Sequence, residues 1–207
     1  MTTPPRPDGA ELTLRDGSKL TVRSVRPGDK SRLRTSFAQM SDETRYRRFM
    51  TIKDRLTDAD LRTMTGVDHL DGECILAFDG SALAGSASYF RNPRRRHLAE
   101  VAVDVAEGYQ RRGIATALGH ELARRARRAG IRRFEASMLA SNQPAMNLLR
   151  SVHRTPTSRY EADTITVEFK LTKLSNLLAH AHSRVVRWSQ RRRSHRRRSD
   201  TTALPVP

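Results

Sequence analysis

The sequence predicts a mixed α/β domain of the α+β type, with a largely antiparallel twisted sheet flanked by helices and a basic C-terminal helix and tail. Three observations favour this class. Segments that alternate apolar and polar residues, as strands do, are interspersed with segments of helical spacing. Two pairs of strand-like segments are joined by short turns, which is typical of antiparallel hairpins. The stretch from Leu98 to Leu118 then joins a strand to a helix through a glycine-bearing loop.

The first half of the chain is predicted to contain two hairpins with helical segments between them. The hairpins turn at Asp16-Gly17 and at Gly80-Ser81. Pro27, Ser41 and Thr57 each suit the start of a helix, because proline is tolerated in the first turn and hydroxyl side chains cap it. The predicted strands are 11–15, 19–25, 73–79 and 82–90, and the predicted helices begin near residues 27, 41 and 57.

In the second half, strands and helices alternate. The apolar pattern predicts strands at 98–105 and 131–139, and helices at 112–129 and 141–150. Gly130 is suited to cap the end of the helix at 112–129. A last strand is predicted at 162–171, where apolar and polar residues alternate.

Composition and charge suit one domain with a basic tail. The 207 residues carry a formal net charge of +17, and the chain from Lys170 onward has two Lys and eight Arg against one Asp. We expect a disordered N-terminus at 1–10, a folded domain at 11–171, an amphipathic helix at 172–190 and a basic disordered tail at 191–207. The Arg-rich tail is suited to contact with nucleic acid or an anionic membrane, whereas the helix could pack on the domain, pair subunits or lie on a membrane. The oligomeric state is not fixed by these features.

A cytoplasmic protein is expected. Cys74 is the single cysteine and lies in an apolar strand, which favours a core thiol in a reducing compartment. The N-terminus lacks the apolar segment of a secretory signal, and no apolar run approaches the roughly 20 residues of a spanning helix. The histidines do not form a cluster with metal-ligand spacing, so no metal is expected.

The loop between the strand at 98–105 and the following helix has the features of an anion-binding site. It reads Gln-Arg-Arg-Gly-Ile-Ala over residues 110–115. The first N–H groups of a helix lack internal partners and lie at its positive end. Gly113 allows a phosphate to approach the backbone closely. The sequence therefore predicts a phosphate-bearing ligand.

These features resemble the acetyl-CoA-binding core of the GNAT N-acetyltransferases. That family's loop follows the pattern Gln/Arg-x-x-Gly-x-Gly/Ala, which residues 110–115 match at each fixed position. The segments 44–50 (TRYRRFM), 61–69 and 99–105 (AEVAVDV) narrow the resemblance to the acetyltransferase domain of bacterial Pat-type protein lysine acetyltransferases. The chain departs from the family at Ser151-Val152-His153, where a Gly-Phe pair is usual.

The resemblance implies a GNAT fold over 11–171 and transfer of an acetyl group from acetyl-CoA, as co-substrate, to a primary amine by direct attack. The amine expected is a protein lysine side chain, with Glu100 as general base. The resemblance also implies that the strand backbone at Val103 and Val105 meets the cofactor and donates to the oxygen of the tetrahedral intermediate. Asn142 would bind the pantetheine or a nearby backbone group. The pyrophosphate would contact Gln110, Arg111, Arg112, Gly113, Ile114 and Ala115.

Several alternatives stay open. Asp104 shares the strand face of Glu100 and is an alternative base. The general acid could be Tyr160, His153 or solvent. The acceptor could be a small-molecule amine, or the chain could be a non-catalytic acyl-CoA-sensing module whose tail binds nucleic acid or membrane.

Overall fold

The computed structural model describes residues 9–14, 16–152 and 157–171, with side chains described except at 150–152. The predicted helix at 172–190, the tail at 191–207, His153 and nearly all of the N-terminal segment lie outside these ranges. Ala10, predicted as part of a disordered N-terminus, instead pairs with Val22 in the first strand. None of the helices in the described ranges is long and apolar enough to cross a membrane.

An eight-stranded sheet in the order β1-β2-β3-β4-β5-β6-β8-β7 forms the centre of the domain. Neighbouring strands in the described chain are antiparallel except for β5 and β6, which are parallel. The strands are β1 Ala10–Thr13, β2 Lys19–Ser24, β3 Gly72–Asp79, β4 Ala82–Arg91, β5 Leu98–Val105, β6 Arg133–Leu139, β7 Thr157–Glu161 and β8 Thr164–Lys170.

Helices cover both faces of this sheet. On one face, α1 to α3 enclose a core that includes Leu33, Phe37 and Leu61. On the other, α4 and α5 pack on a larger core that includes Leu122 and Phe134. The helices are α1 Lys30–Ala38, α2 Asp42–Phe49, α3 Asp58–Thr65, α4 Ile114–Arg128 and α5 Gln143–Val152.

The predicted fold class and both hairpins are confirmed, with two differences. Strand β7 was not predicted, because all five of its residues are exposed and none gives an apolar alternation. Helix α4 begins at Ile114 rather than Arg112, because Arg111 and Gly113 adopt positive φ angles of 62° and 85° that a helix does not accept.

The sheet opens at its parallel junction. The ladder between β5 and β6 has three residue pairs and ends at Glu100 and Glu135. Beyond that point β5 remains paired with β4 as far as Val105, and β6 remains paired with β8 as far as Leu139. A gap therefore separates β5 from β6 toward their C-terminal ends, where ligands bind in open sheets of this kind.

Candidate active site

Glu100 lies at the point where the gap begins. Its side chain is exposed on the face of the sheet that α1 to α3 cover, whereas Val101, Val103 and Val105 pack on the core beneath α4. Side chains alternate between faces along a strand, so Ala102 and Asp104 share the face of Glu100. The structure thus places the predicted base at the apex of the gap.

A row of carboxylates crosses the sheet at this apex. Glu100 lies beside Glu135 of β6, and Glu135 lies beside Glu168 of β8. Like charges directly opposite each other destabilise a sheet. Arg95 and Arg133 neutralise Glu168, but in the described chain neither Glu100 nor Glu135 has a cationic partner. Two neighbouring carboxylates without an ion-pair partner in the described chain would attract a cationic group.

The alternative base, Asp104, is already engaged. Its Oδ1 accepts a hydrogen bond from Arg48 Nε at 3.1 Å, and its Oδ1 and Oδ2 lie 2.9 and 3.0 Å from Ser86 Oγ. The aspartate also lies four residues from Glu100, about 13 Å along the strand. The contacts make Asp104 an anchor for α2, so the structure does not favour it as a base.

The N-terminus of α4 is open to an anion. Gly113 is its N-cap and supplies no side chain, and a Cβ at this position would meet no atom within 4 Å. In the described chain, no hydrogen bond uses the backbone N–H groups of residues 111–116. Free N–H groups at the positive end of a helix attract phosphate. The exposed side chain of Arg111 has no ion-pair partner among the described residues and adds positive charge beside them.

Arg112 has a different environment from Arg111. Its Nη2 donates to Ser18 Oγ at 3.1 Å, and its Nε lies 3.5 Å from Asp16 Oδ2. Its guanidinium also lies 5.4 Å from the centroid of the Tyr109 ring. These contacts tie the loop to the β1–β2 hairpin. Of the two arginines predicted to contact pyrophosphate, Arg111 is therefore the more available, and Arg112 fixes the loop.

The edge of β5 that faces the gap carries unpaired backbone groups. The N–H of Ala106 donates to Ala84 of β4 at 3.0 Å. Because N–H groups alternate in direction along a strand, those of Val105 and Val103 point away from β4 and into the gap, whereas that of Val101 lies at the end of the three-pair ladder with β6. The predicted backbone positions, Val103 and Val105, are thus on the edge that a ligand in the gap would meet.

Asn142 lies at the start of α5, on the opposite side of the gap from α4. Its Oδ1 accepts from the backbone N–H of Ala145 at 3.2 Å, so the side chain caps the helix. The Nδ2 group is not used in that contact. Since β5 and β6 are parallel, the helix N-termini that follow them flank the same end of the gap.

Tyr160 does not reach Glu100. It lies opposite Ile165, a core residue beneath α4, and therefore on the other face of the sheet. Strands β6 and β8 also separate β7 from β5, a spacing of about 14 Å. The structure thus does not bring this candidate acid to the site.

Cys74 is a core residue. It is fully buried, and desolvation raises the pKa of its thiol to about 12, so the reactive thiolate is not formed at neutral pH. Within the described ranges, no group of three or more His, Cys, Asp or Glu residues could hold a metal ion.

Comparison with known proteins agrees with this geometry. The acetyltransferase (GNAT) family matches residues 36–153. The chain belongs to the GNAT acetyltransferase family. Both the anion-binding loop and the strand that carries Glu100 lie inside the matched region. The fold and the family are those of an acyltransferase.

Individual GNAT proteins extend this result. The chain is 31% identical over 140 residues to acetyltransferase Pat of Mycolicibacterium smegmatis, a match covering 67% of this chain and 42% of that protein. The solved GNAT domain of S. lividans PAT is 31% identical, with a TM-score of 0.73 over 78% of this chain and 96% of that one. A cAMP-binding acyltransferase from Mycobacterium smegmatis is 25% identical, with a TM-score of 0.57 over 81% of this chain and 48% of that one. The chain thus spans less than half the length of the curated relative.

Two site residues were missed from the sequence. Glu135 is on a predicted strand, but its position beside Glu100 depends on a parallel register that no local pattern encodes. Arg48 lies in the TRYRRFM segment, and its contact with Asp104 joins residues 56 positions apart. The excess of arginine near both positions obscured which charges would meet.

Proposed function

We propose that this protein is an acetyl-CoA-dependent N-acetyltransferase of the cytoplasm that transfers an acetyl group to a protein lysine side chain. One observation carries the proposal. An exposed glutamate without a cationic partner in the described chain lies at the apex of a gap that leads to an uncapped helix N-terminus. The gap joins a base to an anion-binding site, as transfer from a pyrophosphate-bearing thioester to an amine requires.

The proposed cofactor arrangement follows the gap. The pyrophosphate of acetyl-CoA rests on the N–H groups at the start of α4, with Arg111 beside it. The pantetheine arm passes along the free edge of β5 at Val103 and Val105, and Asn142 contributes its Nδ2 from the other side. The thioester then lies near the apex, where a β5 N–H stabilises the negative oxygen of the tetrahedral intermediate.

Glu100 acts as general base in this proposal. A lysine amine is protonated at neutral pH, since its ordinary pKa is about 10.4. Glu100, directly or through one water, takes a proton from the ammonium group, and the neutral nitrogen then attacks the thioester carbonyl carbon. The C–N bond forms, the nitrogen of the tetrahedral intermediate gives its second proton to solvent, the C–S bond breaks, and coenzyme A leaves as a thiolate that solvent protonates. Neither Asp104 nor Tyr160 is placed to do this work.

A lysine acceptor is supported by the charge at the apex and by the relatives. The carboxylates of Glu100 and Glu135 suit a cationic amine, and Phe90, 37% exposed on the strand next to Glu100, offers an apolar surface to an aliphatic stem. The relatives are Pat proteins. A small-molecule amine and a non-catalytic acyl-CoA sensor are the competing hypotheses.

Mass spectrometry of proteins incubated with acetyl-CoA tests the proposal. Wild-type protein should acetylate lysines, and Glu100→Gln should lower kcat by about 10²–10⁴-fold, the range for one general base. Calorimetry should show near-normal acetyl-CoA binding by the variant. An unchanged rate would remove Glu100 from the mechanism, and binding of acetyl-CoA without turnover on any amine would favour the sensor.

A further inference from the structure

Helix α2 lies on the Glu100 face of the sheet and is fastened to the segment that would hold acetyl-CoA. It contacts Asp104 of β5 and approaches β6, so it extends across the gap. We propose that Asp104 and Glu107 are positioning residues that make the placement of α2, and with it acceptor binding, depend on bound acetyl-CoA. The inference rests on the proposed function.

The first attachment joins α2 to the free part of β5. Arg48 and Asp104 form an ion pair at 3.1 Å, with exposed side-chain fractions of 19% and 15%. Ser86 of β4 donates to the same carboxylate. The guanidinium of Arg48 also lies 5.1 Å from the centroid of the Phe49 ring. Partial burial strengthens such a charge-assisted contact relative to one in open solvent.

The second attachment joins α2 to the loop that precedes the anion-binding site. Glu107 Oε1 accepts from the backbone N–H of Ser41 at 2.9 Å and from Thr44 Oγ1 at 3.1 Å. These hydrogen bonds hold the pKa of Glu107 below its ordinary value, so the carboxylate is charged at neutral pH. A negative charge at the N-terminus of a helix stabilises it. The N-terminus of α2 is thus held by the loop between β5 and α4.

The apolar packing of α2 on the core comes from Phe49, whose ring lies edge-on to that of Phe37 with the centroids 5.6 Å apart. None of its eight residues is fully buried. A cavity of about 20 Å³ lies beneath it, lined by Phe37, Phe49 and Asp104 among others. Arg45 ties the helix to α1 through the carbonyl oxygens of Phe37 and Ala38. An element with few buried apolar contacts is among the first to open locally, so its polar attachments decide where it lies.

Both attachments lie in the segment along which the cofactor would run. Asp104 lies between Val103 and Val105 in β5, and Glu107 lies three residues before Gln110 of the loop. A cofactor that fixes this segment also fixes α2, and α2 lies over the face from which an amine reaches Glu100. Once acetyl-CoA is bound, the acceptor would therefore contact a helix α2 that is held in one position.

Hydrogen exchange of residues 41–50, with and without acetyl-CoA, tests the inference. In the wild type, the cofactor should slow exchange in α2 several-fold. In Asp104→Asn and Glu107→Gln this protection should be lost at saturating acetyl-CoA, and acceptor KM should rise about tenfold while kcat changes less. Glu43→Gln is the matched control, because Glu43 pairs with Arg47 within α2 and does not reach β5. It should behave as wild type.

Arg48→Gln removes the ion pair with Asp104 from the α2 side and serves if Asp104→Asn fails to fold. Thr44→Val serves in the same way for Glu107→Gln, but it removes only the Thr44 hydrogen bond and leaves that from the Ser41 backbone N–H, so it should lower the protection in part. If folded variants at both attachments bind acetyl-CoA and keep the full protection of α2, the inference is overturned and the proposed function still stands. Wild-type protein that does not bind acetyl-CoA would overturn both.

Discussion

At the scale of single residues, the unusual feature is the pair Glu100 and Glu135. The adjacent Glu168 has two arginines, and burial of this carboxyl is outweighed by hydrogen bonds from Arg95 and Arg133, which hold its pKa below the ordinary value. Glu100 and Glu135 lie side by side on adjacent strands, and neither has an ion-pair partner in the described chain. Repulsion between neighbouring carboxylates lowers the stability of the fold. Active sites often retain such a destabilising arrangement because the activity requires it.

Glu135→Gln should therefore weaken binding of the acceptor amine and stabilise the fold. Losing one charge-assisted contact to an ammonium group should raise acceptor KM by about 10–100-fold. Removing the repulsion with Glu100 should raise the free energy of unfolding by several tenths of a kcal/mol, roughly the size of a cross-strand pair. Steady-state kinetics and urea unfolding measure the two effects.

Glu168→Gln provides the comparison for Glu135→Gln. Its charge is matched by arginines, so the substitution should lower stability and leave acceptor KM nearly unchanged. Equal effects of the two variants on acceptor KM would contradict a specific role for Glu135.

At the scale of elements, the loop and α4 act as one unit. The loop reaches its position through positive φ angles at Arg111 and Gly113 and is tied by Arg112 to a hairpin 94 residues earlier in the chain. The N-terminus of α4 is left without a side-chain cap, unlike α2 and α3, where Ser41 and Thr57 accept from backbone N–H groups. Helix α4 thus lacks a side-chain cap at the end where the phosphate would bind.

Gly113→Ala should impair both stability and cofactor binding. The added Cβ meets no atom, so the cost is backbone strain at a φ of 85°, about 1–2 kcal/mol. Acetyl-CoA affinity should fall as the loop shifts, as measured by calorimetry.

Gly119→Ala is the counterpart within the same helix. Its Cβ also meets no atom, but its backbone is helical, so the substitution should stabilise by about 0.5–1 kcal/mol and leave affinity unchanged. Destabilisation by both substitutions would mean that crowding, not φ, governs Gly113.

At the scale of the whole molecule, buried carboxylates are matched to arginines. Asp29 is 1% exposed, and Arg23 binds both of its oxygens at 2.7 Å. The hydrogen bond from Arg23 is the main reason that the pKa of Asp29 lies below its ordinary value, despite burial. Asp29 therefore contributes stability above the pKa it has in the unfolded chain, and this contribution is lost as pH falls through its lower folded pKa.

Asp29→Asn should consequently lower the free energy of unfolding by about 3 kcal/mol at pH 7, because it removes the ion pair between a buried carboxylate and the partly buried guanidinium of Arg23. The difference from wild type should shrink as pH falls below the ordinary aspartate pKa of about 3.9 toward the lower folded pKa of Asp29. Urea unfolding between pH 3 and 7 measures this trend. A difference that stayed constant across the range would show that packing, not charge, accounts for the loss.

Sequence patterns predicted those parts of the molecule that depend on neighbours along the chain. The alternation in β5 and the glycine of the loop are local, and both predicted the right structure. Strand β7 gave no signal because it is an exposed edge strand. The meeting of Glu100 with Glu135 and of Arg48 with Asp104 depends on strand register and helix docking, which bring distant residues together. The segments 172–190 and 191–207, and the contacts expected of them, stay predictions.

The three-pair junction between β5 and β6 has a consequence for the protein without ligand. Beyond it, β5 presents unpaired backbone groups inside the sheet, and such an edge is a template on which another chain can add a strand. Acetyl-CoA in the gap would cover the template. We expect the free protein to aggregate on warming and the cofactor to suppress this, as light scattering would record. Acetyl-CoA would then keep the protein soluble in addition to supplying the acetyl group for the reaction.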